Sequence, residues 1–382
     1  MRSLLLLLLA GACAGAPAGD TLTARGLEHF YNLEYDQASE EFSAAAKQNP
    51  LAPAAHNHLA MTVLYRAMLR AGALESEMVT GNNTFLRRPK MEPTAAERRA
   101  FEAEIARAIS LAQDQLARNP NDTGAMYALG VSHGMRATYE LLVKRAWNAG
   151  LKEANAARRY HNRITEIDPS FTDARLVQGL HEYMVGSLPW HWKVLAFMAG
   201  YRGDKQAGIR TLEEVARNGR ENRVDAEMML CIIYRRERQP LRAVPLLRDL
   251  IGRFPRNYLL RMELAQMFSD AGDKASALAA LDSLEKTKPP LLPEKISYAR
   301  GNIQFWYGDL AAALANMERA AAASERLDLN TGVLACMRLG QIRDLRGERE
   351  QARAAYRRAI ALAPESEAAK ESREYMQKPY SR

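Results

Sequence analysis

The stretch YLLRMELAQMFSDAGDKASALAALDSLEKTKP, residues 258–289, decides the fold. Leu264 and Ala265 are followed by Phe268, which puts apolar groups three and four residues apart on one helical face. Beyond Gly272-Asp273 the spacing returns as Ala277, Leu281 and Leu284, and Pro289 stops the second helix. Two short amphipathic helices joined by a tight turn carry apolar surface on more than one side. Such a hairpin needs neighbours to bury it.

Thirty-four residues upstream, Leu230, Cys231, Tyr234, Ala243, Leu247, Leu250 and Pro255 hold the counterpart places. Downstream the pattern returns as Leu339, Gly340, Gly347, Ala352, Tyr356, Ala359 and Pro364, with Gly301, Gly308, Ala313 and Ala320 between. The small residues have a steric cause: where two helices of a unit cross, anything larger than Gly, Ala or Cys holds the backbones apart. In period and in order of residue types the set resembles the tetratricopeptide repeat family. The resemblance implies an all-α fold, an α-solenoid of about eight helix-turn-helix units. Insertions near 72–93, 136–150 and 184–203 interrupt its N-terminal half.

An internal period overrides the two or three domains that 382 residues would otherwise suggest. The net charge of +8 is uneven, with 14 Lys/Arg against 8 Asp/Glu between residues 200 and 261. That surplus suits an acidic protein or peptide partner, or simply decorates solvated helix faces. No recognition module accompanies it, so nucleic acid is not an expected partner.

The first residues, MRSLLLLLLAGACAGAPAGD, read as an export leader: Arg2, an apolar run from Leu4 to Ala10, then small residues. Two cleavage readings stand side by side. Ala16-Pro17-Ala18 suits a signal peptidase acting on a leader of residues 1–18. Ala10-Gly11-Ala12-Cys13 resembles a bacterial lipobox, with residues 1–12 removed and Cys13 lipidated, the one expected membrane contact. The expected location is the periplasm or a membrane-tethered lipoprotein. Cys231 and Cys336 fall on helical core positions as small hydrophobes.

An irregular half spans 19–223, a regular array 224–366, and a capping helix with tail 367–382. The first repeat runs from Asp20 to Pro50, and the second begins near Pro53. Thr94 with Glu97 forms a capping box that starts the second unit's delayed partner helix. Asn82-Asn83-Thr84 matches a glycosylation sequon. In the third unit the first helix is expected to extend through Trp147, its partner running from Leu151 to Ile167. The fourth unit departs from the pattern at YMVGSLPWHWKVLAFMAGYRG, residues 183–203. There Trp190 and Trp192 mark a packed extra helix, a lid or a docking site.

Little points to catalysis. His56 and His58 diverge on a helix, and His181-Glu182 lacks a second His four places on. No phosphate loop, Cys-x-x-Cys or nucleophile elbow is present, so no enzyme, cofactor or metal is expected. The family resemblance implies that first helices line a concave, peptide-binding face. By register that face takes Tyr65, Tyr127, Met135, Tyr183, Met228, Arg235, Arg236, Gln266, Tyr298, Asn302, Phe305 and Trp306. The expected function is an exported scaffold binding an extended segment of an envelope protein. The alternative is a small-ligand or lipid carrier closed by the insert 184–203.

Overall fold

Residues 21–74, 91–198, 200–287 and 290–382 are described by the structure, a computed structural model. The leader with Cys13, most of the 72–93 insertion and its sequon lie outside them. Among the described residues every regular element is helical. In chain order these are α1 (Thr21–Tyr31), α2 (Tyr35–Gln48), α3 (Pro53–Arg70), α4 (Ala95–Arg118), α5 (Thr123–Tyr139), α6 (Trp147–Ile167), α7 (Arg175–Gly186), α8 (Trp190–Met198) and α9 (Lys205–Asn218). There follow α10 (Arg223–Arg236), α11 (Ala243–Arg253), α12 (Tyr258–Asp270), α13 (Lys274–Asp282), α14 (Pro293–Trp306), α15 (Leu310–Ala322), α16 (Leu329–Leu345), α17 (Arg349–Leu362) and α18 (Glu367–Gln377). Among the described residues these make eight consecutive pairs and a closing helix, with α8 interposed between the partners α7 and α9.

The helices divide into two compact units. One takes the described residues 21–67 and 91–233, the other 68–74 and 234–382. In the second, α12 and α13 form the hairpin legible in residues 258–289. Gly272 makes its turn at φ +86°, a conformation costly for any residue with a Cβ. Ala277, Leu281 and Leu284 are buried beneath it, and the Asp273 side chain caps α13 by accepting from the Ser276 N–H.

A single spacing recurs where paired helices cross. Gly26 lies against the Phe42 ring, Gly301 against Met317 and Gly340 against the Tyr356 ring, each partner sixteen residues on. In the third unit Gly130 faces His161, thirty-one residues on. The extra fifteen match the length of the 136–150 insertion, so the crossing survives while the connection lengthens. A Cβ at Gly340 would lie 2.4 Å from the buried Tyr356 ring, whereas one at Gly252 meets nothing within 4 Å. Helix propensity favours alanine over glycine by about 1 kcal/mol, against a steric cost of about 1–3 kcal/mol in a packed crossing. Gly340→Ala is therefore expected to lower the melting temperature and Gly252→Ala to raise it slightly. Equal shifts in the two would discredit the crossing account.

The third unit corrects the sequence reading. Its first helix, α5, ends at Tyr139 and passes into a π turn over Glu140–Lys144. Arg145 then adopts a left-handed φ of 58°, and the partner α6 begins at Trp147 rather than Leu151. Burial of Leu141, Leu142 and Val143 holds the π turn in place. The capping box forms as expected: the Glu97 N–H donates to Thr94 Oγ1 at 3.1 Å and the Thr94 N–H to Glu97 Oε2 at 2.7 Å. Cys231 and Cys336 are buried, and neither is in a disulfide.

Candidate functional site

The first helices of the last two pairs, α14 and α16, and the closing helix α18 bring one set of side chains together in the second unit. Phe305 is buried at the end of α14, while its neighbour Trp306 stands 58% exposed. The Arg338 guanidinium of α16 lies 4.3 Å from the Phe305 ring centre and 4.9 Å from that of Trp306, a cation–π clamp on both. Gln341, one turn on, accepts from Arg338 Nη1 at 2.8 Å and holds the guanidinium in position.

A segment of the chain itself lies across this set. After α18 the residues Lys378–Arg382 leave helical conformation, and Pro379 lacks the N–H that a further turn would use. Tyr380 packs edge-on to Tyr375 at 5.3 Å and lies 6.1 Å from Phe305. The Arg382 guanidinium sits 4.6 Å from the Phe305 ring centre and donates to the Phe305 carbonyl. Two guanidinium groups thus share one aromatic ring.

The segment is anchored through Asp344, whose side chain is fully buried. Its carboxylate accepts from Arg349 Nη1 at 2.8 and 3.1 Å, from the Tyr356 hydroxyl at 2.8 Å and from the Tyr380 N–H at 2.9 Å. Arg349 Nη2 also donates to the carbonyls of Tyr375 and Met376, closing the end of α18. Burial first, then the hydrogen bond and charge of Asp344, push the Tyr356 hydroxyl far above the ordinary phenol range. It remains a neutral donor to the carboxylate.

Of the register-derived groove residues, Phe305 and Trp306 meet at this site. Arg235, whose side chain is 9% exposed, donates to Asp270 at 2.6 Å, and Gln266 donates to the other oxygen of that carboxylate at 2.6 Å. The acidic group expected from a partner is here the chain's own. Gln266 and Tyr298 also line a crevice of about 30 Å³, room for little more than a water molecule. Tyr127, Met135, Tyr183, Tyr298 and Asn302 are buried in packing. Tyr65, half-buried, packs edge-on to Phe30 at 5.0 Å, and Met228 and Arg236 are half-buried. Register places a residue on a first helix; only the crossing geometry tells whether that side faces a groove or the adjacent pair. Sequence reasoning missed Arg338, Asp344, Arg349 and Tyr380. The one available signal was an aromatic in an otherwise polar tail after a proline.

Elsewhere histidines pair with carboxylates or stack. His29 bonds Glu34, His56 bonds Glu104 and His133 bonds Glu153, at 2.6–2.7 Å, and His58 stacks on Phe42. Among the described residues no group of three or more His, Cys, Asp and Glu could hold a metal ion. In the insert, Trp190 is exposed and Trp192 half-buried.

Helix pairs with small residues at each crossing, presenting first helices to an extended segment, define a repeat scaffold. The tetratricopeptide repeat model matches residues 23–73 and 228–291, so the chain carries tetratricopeptide repeats over those two stretches. Its fold is that of a protein–protein interaction scaffold. No curated protein matches it. Among solved structures it is similar to a tetratricopeptide repeat protein from Parabacteroides merdae, with 14% identity, 79% of this chain and 91% of that one covered, and a TM-score of 0.33. It is also similar to the human IFIT1 dimer with m7Gppp-AAAA, with 13% identity, 99% and 85% covered, and a TM-score of 0.49. For yeast Tom70 the identity is 11%, the coverage 93% and 94%, and the TM-score 0.30.

Proposed function

We propose that the protein is a peptide-binding scaffold whose second unit receives an extended segment across α14 and α16. The carrying observation is the seating of Tyr380 and Arg382 on Phe305 with Tyr380 anchored at Asp344. Those contacts describe what the face accepts: a backbone N–H for the carboxylate, an aromatic ring beside Tyr375, and a group that packs on the Phe305 ring. The chain's own segment is the resident ligand, and a partner segment competes with it. Intramolecular tethering gives the resident a millimolar effective concentration, so a partner of moderate affinity binds only when the tail yields. The leader in residues 1–20 supports an exported location, with Cys13 the acceptor of a lipid tether on the lipobox reading.

A chain ending at Gln377 should bind a fluorescent peptide of sequence KPYSR at least tenfold more tightly than the full-length protein. The peptide KPASR should bind the truncated chain at least tenfold more weakly than KPYSR, because it lacks the ring that packs on Tyr375 and beside Phe305. Equal anisotropy titrations for full-length and truncated protein would refute the proposal.

A further inference from the structure

Five of the eleven large hydrophobic side chains exposed among the described residues lie in the nine-residue helix α8. They are Trp190, Val194, Leu195, Phe197 and Met198, between 49% and 78% exposed. At 100° per residue they share an arc of about 160°, with the half-buried Trp192 on the opposite side. His191, exposed as well, falls within that arc, and Trp192 is the one described side chain of α8 that is half-buried, so the helix turns its apolar face outward.

The base of this excursion is fixed. A Cβ on Gly186 would lie 2.3 Å from the Lys205 nitrogen, and one on Gly203 would lie 2.6 Å from the Gly186 nitrogen. The two ends of the insert thus leave the helix stack at one point, through backbone contacts that only glycine allows. Tyr201 pins the returning strand of chain: its hydroxyl accepts from Asn155 at 3.0 Å and its ring carries the Arg158 guanidinium at 5.4 Å. Between these fixed points α8 is held outward by geometry rather than folded in.

Charge says what covers it. Residues 187–210 hold Lys193, Arg202, Lys205 and Arg210 against the single carboxylate Asp204. The Arg202 guanidinium lies 5.4 Å from the Phe197 ring centre, so a cation borders the apolar face itself. An apolar arc with tryptophan at its edge and cations alongside fits the boundary of a bilayer, where rings sit among headgroups and cations meet lipid phosphates. No described helix is long and apolar enough to cross a membrane. We infer that α8 is a membrane-docking helix that lies in the interface of an anionic bilayer, independently of any lipid on Cys13.

The test uses the full chain carrying Cys13→Ser and vesicles of phosphatidylcholine with about one-third phosphatidylglycerol. Tryptophan fluorescence should be quenched by brominated acyl chains, and Trp190→Phe should remove most of that quenching while the protein still sediments with vesicles. The leader contains no tryptophan, and Trp190→Phe separates Trp190 from Trp147, Trp192 and Trp306, so the quenching it removes reports α8 and not residues 1–18. Phe197→Ser combined with Met198→Ser should reduce quenching at least tenfold, and Lys193→Glu combined with Arg202→Glu should abolish the preference for anionic vesicles. Circular dichroism of the variants should be unchanged, since these side chains are exposed. Unquenched Trp190 overturns the inference. So does a wild-type dimer in light scattering that the serine variant converts to monomer, because a second copy would then cover the face. Equal quenching on neutral and anionic vesicles likewise overturns it.

Discussion

Replacing Asp344 by alanine is expected to destabilise the second unit by about 3–5 kcal/mol and to free the segment Lys378–Arg382. The carboxylate is fully buried, and three donors end on it: Arg349 and the Tyr356 hydroxyl, both of α17, and the Tyr380 N–H of the segment beyond α18. Without it the Tyr356 hydroxyl is a buried donor with no acceptor. Arg349 is left with the two carbonyls of α18, which satisfy hydrogen bonds but do not neutralise its charge. Deleting residues 378–382 removes the third donor and the packing of Tyr380 and Arg382 but leaves Arg349 and Tyr356 paired with Asp344, and should cost far less. Trp306, the one tryptophan of the second unit, reports both through urea unfolding in a Trp147→Phe, Trp190→Phe, Trp192→Phe background. If Asp344→Ala shifts the midpoint no further than the truncation does, Asp344 serves the tail alone and not the fold.

The first unit should lose about 3 kcal/mol of stability as pH falls from about 6.5 to about 4, through His161. This imidazole is fully buried beneath Gly130, with the Tyr127 ring edge-on at 5.3 Å, and burial pushes its pKa down to about 4. The unfolded chain, with the ordinary value near 6.5, takes up the proton first. Between the two values the unfolded state therefore binds more protons, and stability rises with pH. The contribution is complete above about 6.5 and fully lost below about 4. His181 acts in the same direction, since burial and the Arg158 charge hold it near 4 as well. His161→Leu should flatten the dependence of the urea midpoint on pH while leaving the His181 part. An identical slope in wild type and variant would exclude His161 as the source.

Much of the architecture was legible locally. The α12–α13 hairpin, the Thr94 cap, the buried thiols and the closing helix α18 each depend on residues within about one repeat of one another. Their spacing expresses the 3.6-residue period directly. The third unit was read less well, because Glu140–Lys144 carry enough buried leucine and valine to continue a helix. The departure to a π turn is decided by what those side chains pack against. The groove residues show the same limit. Phe305 and Trp306 were found by register, yet register alone also named Tyr127 and Tyr183, which face neighbouring helices.

By itself the sequence determined that this protein is a succession of helix pairs with small residues at the crossings, because apolar period and small-residue spacing are local and repeat along the chain. Only the tertiary structure decided which faces remain open. It seats Tyr380 on Phe305, seventy-five residues away, through a carboxylate on a third helix, and it leaves the apolar arc of α8 outside the packing. Contacts between distant segments depend on how successive pairs stack, and no one-dimensional period records that stacking.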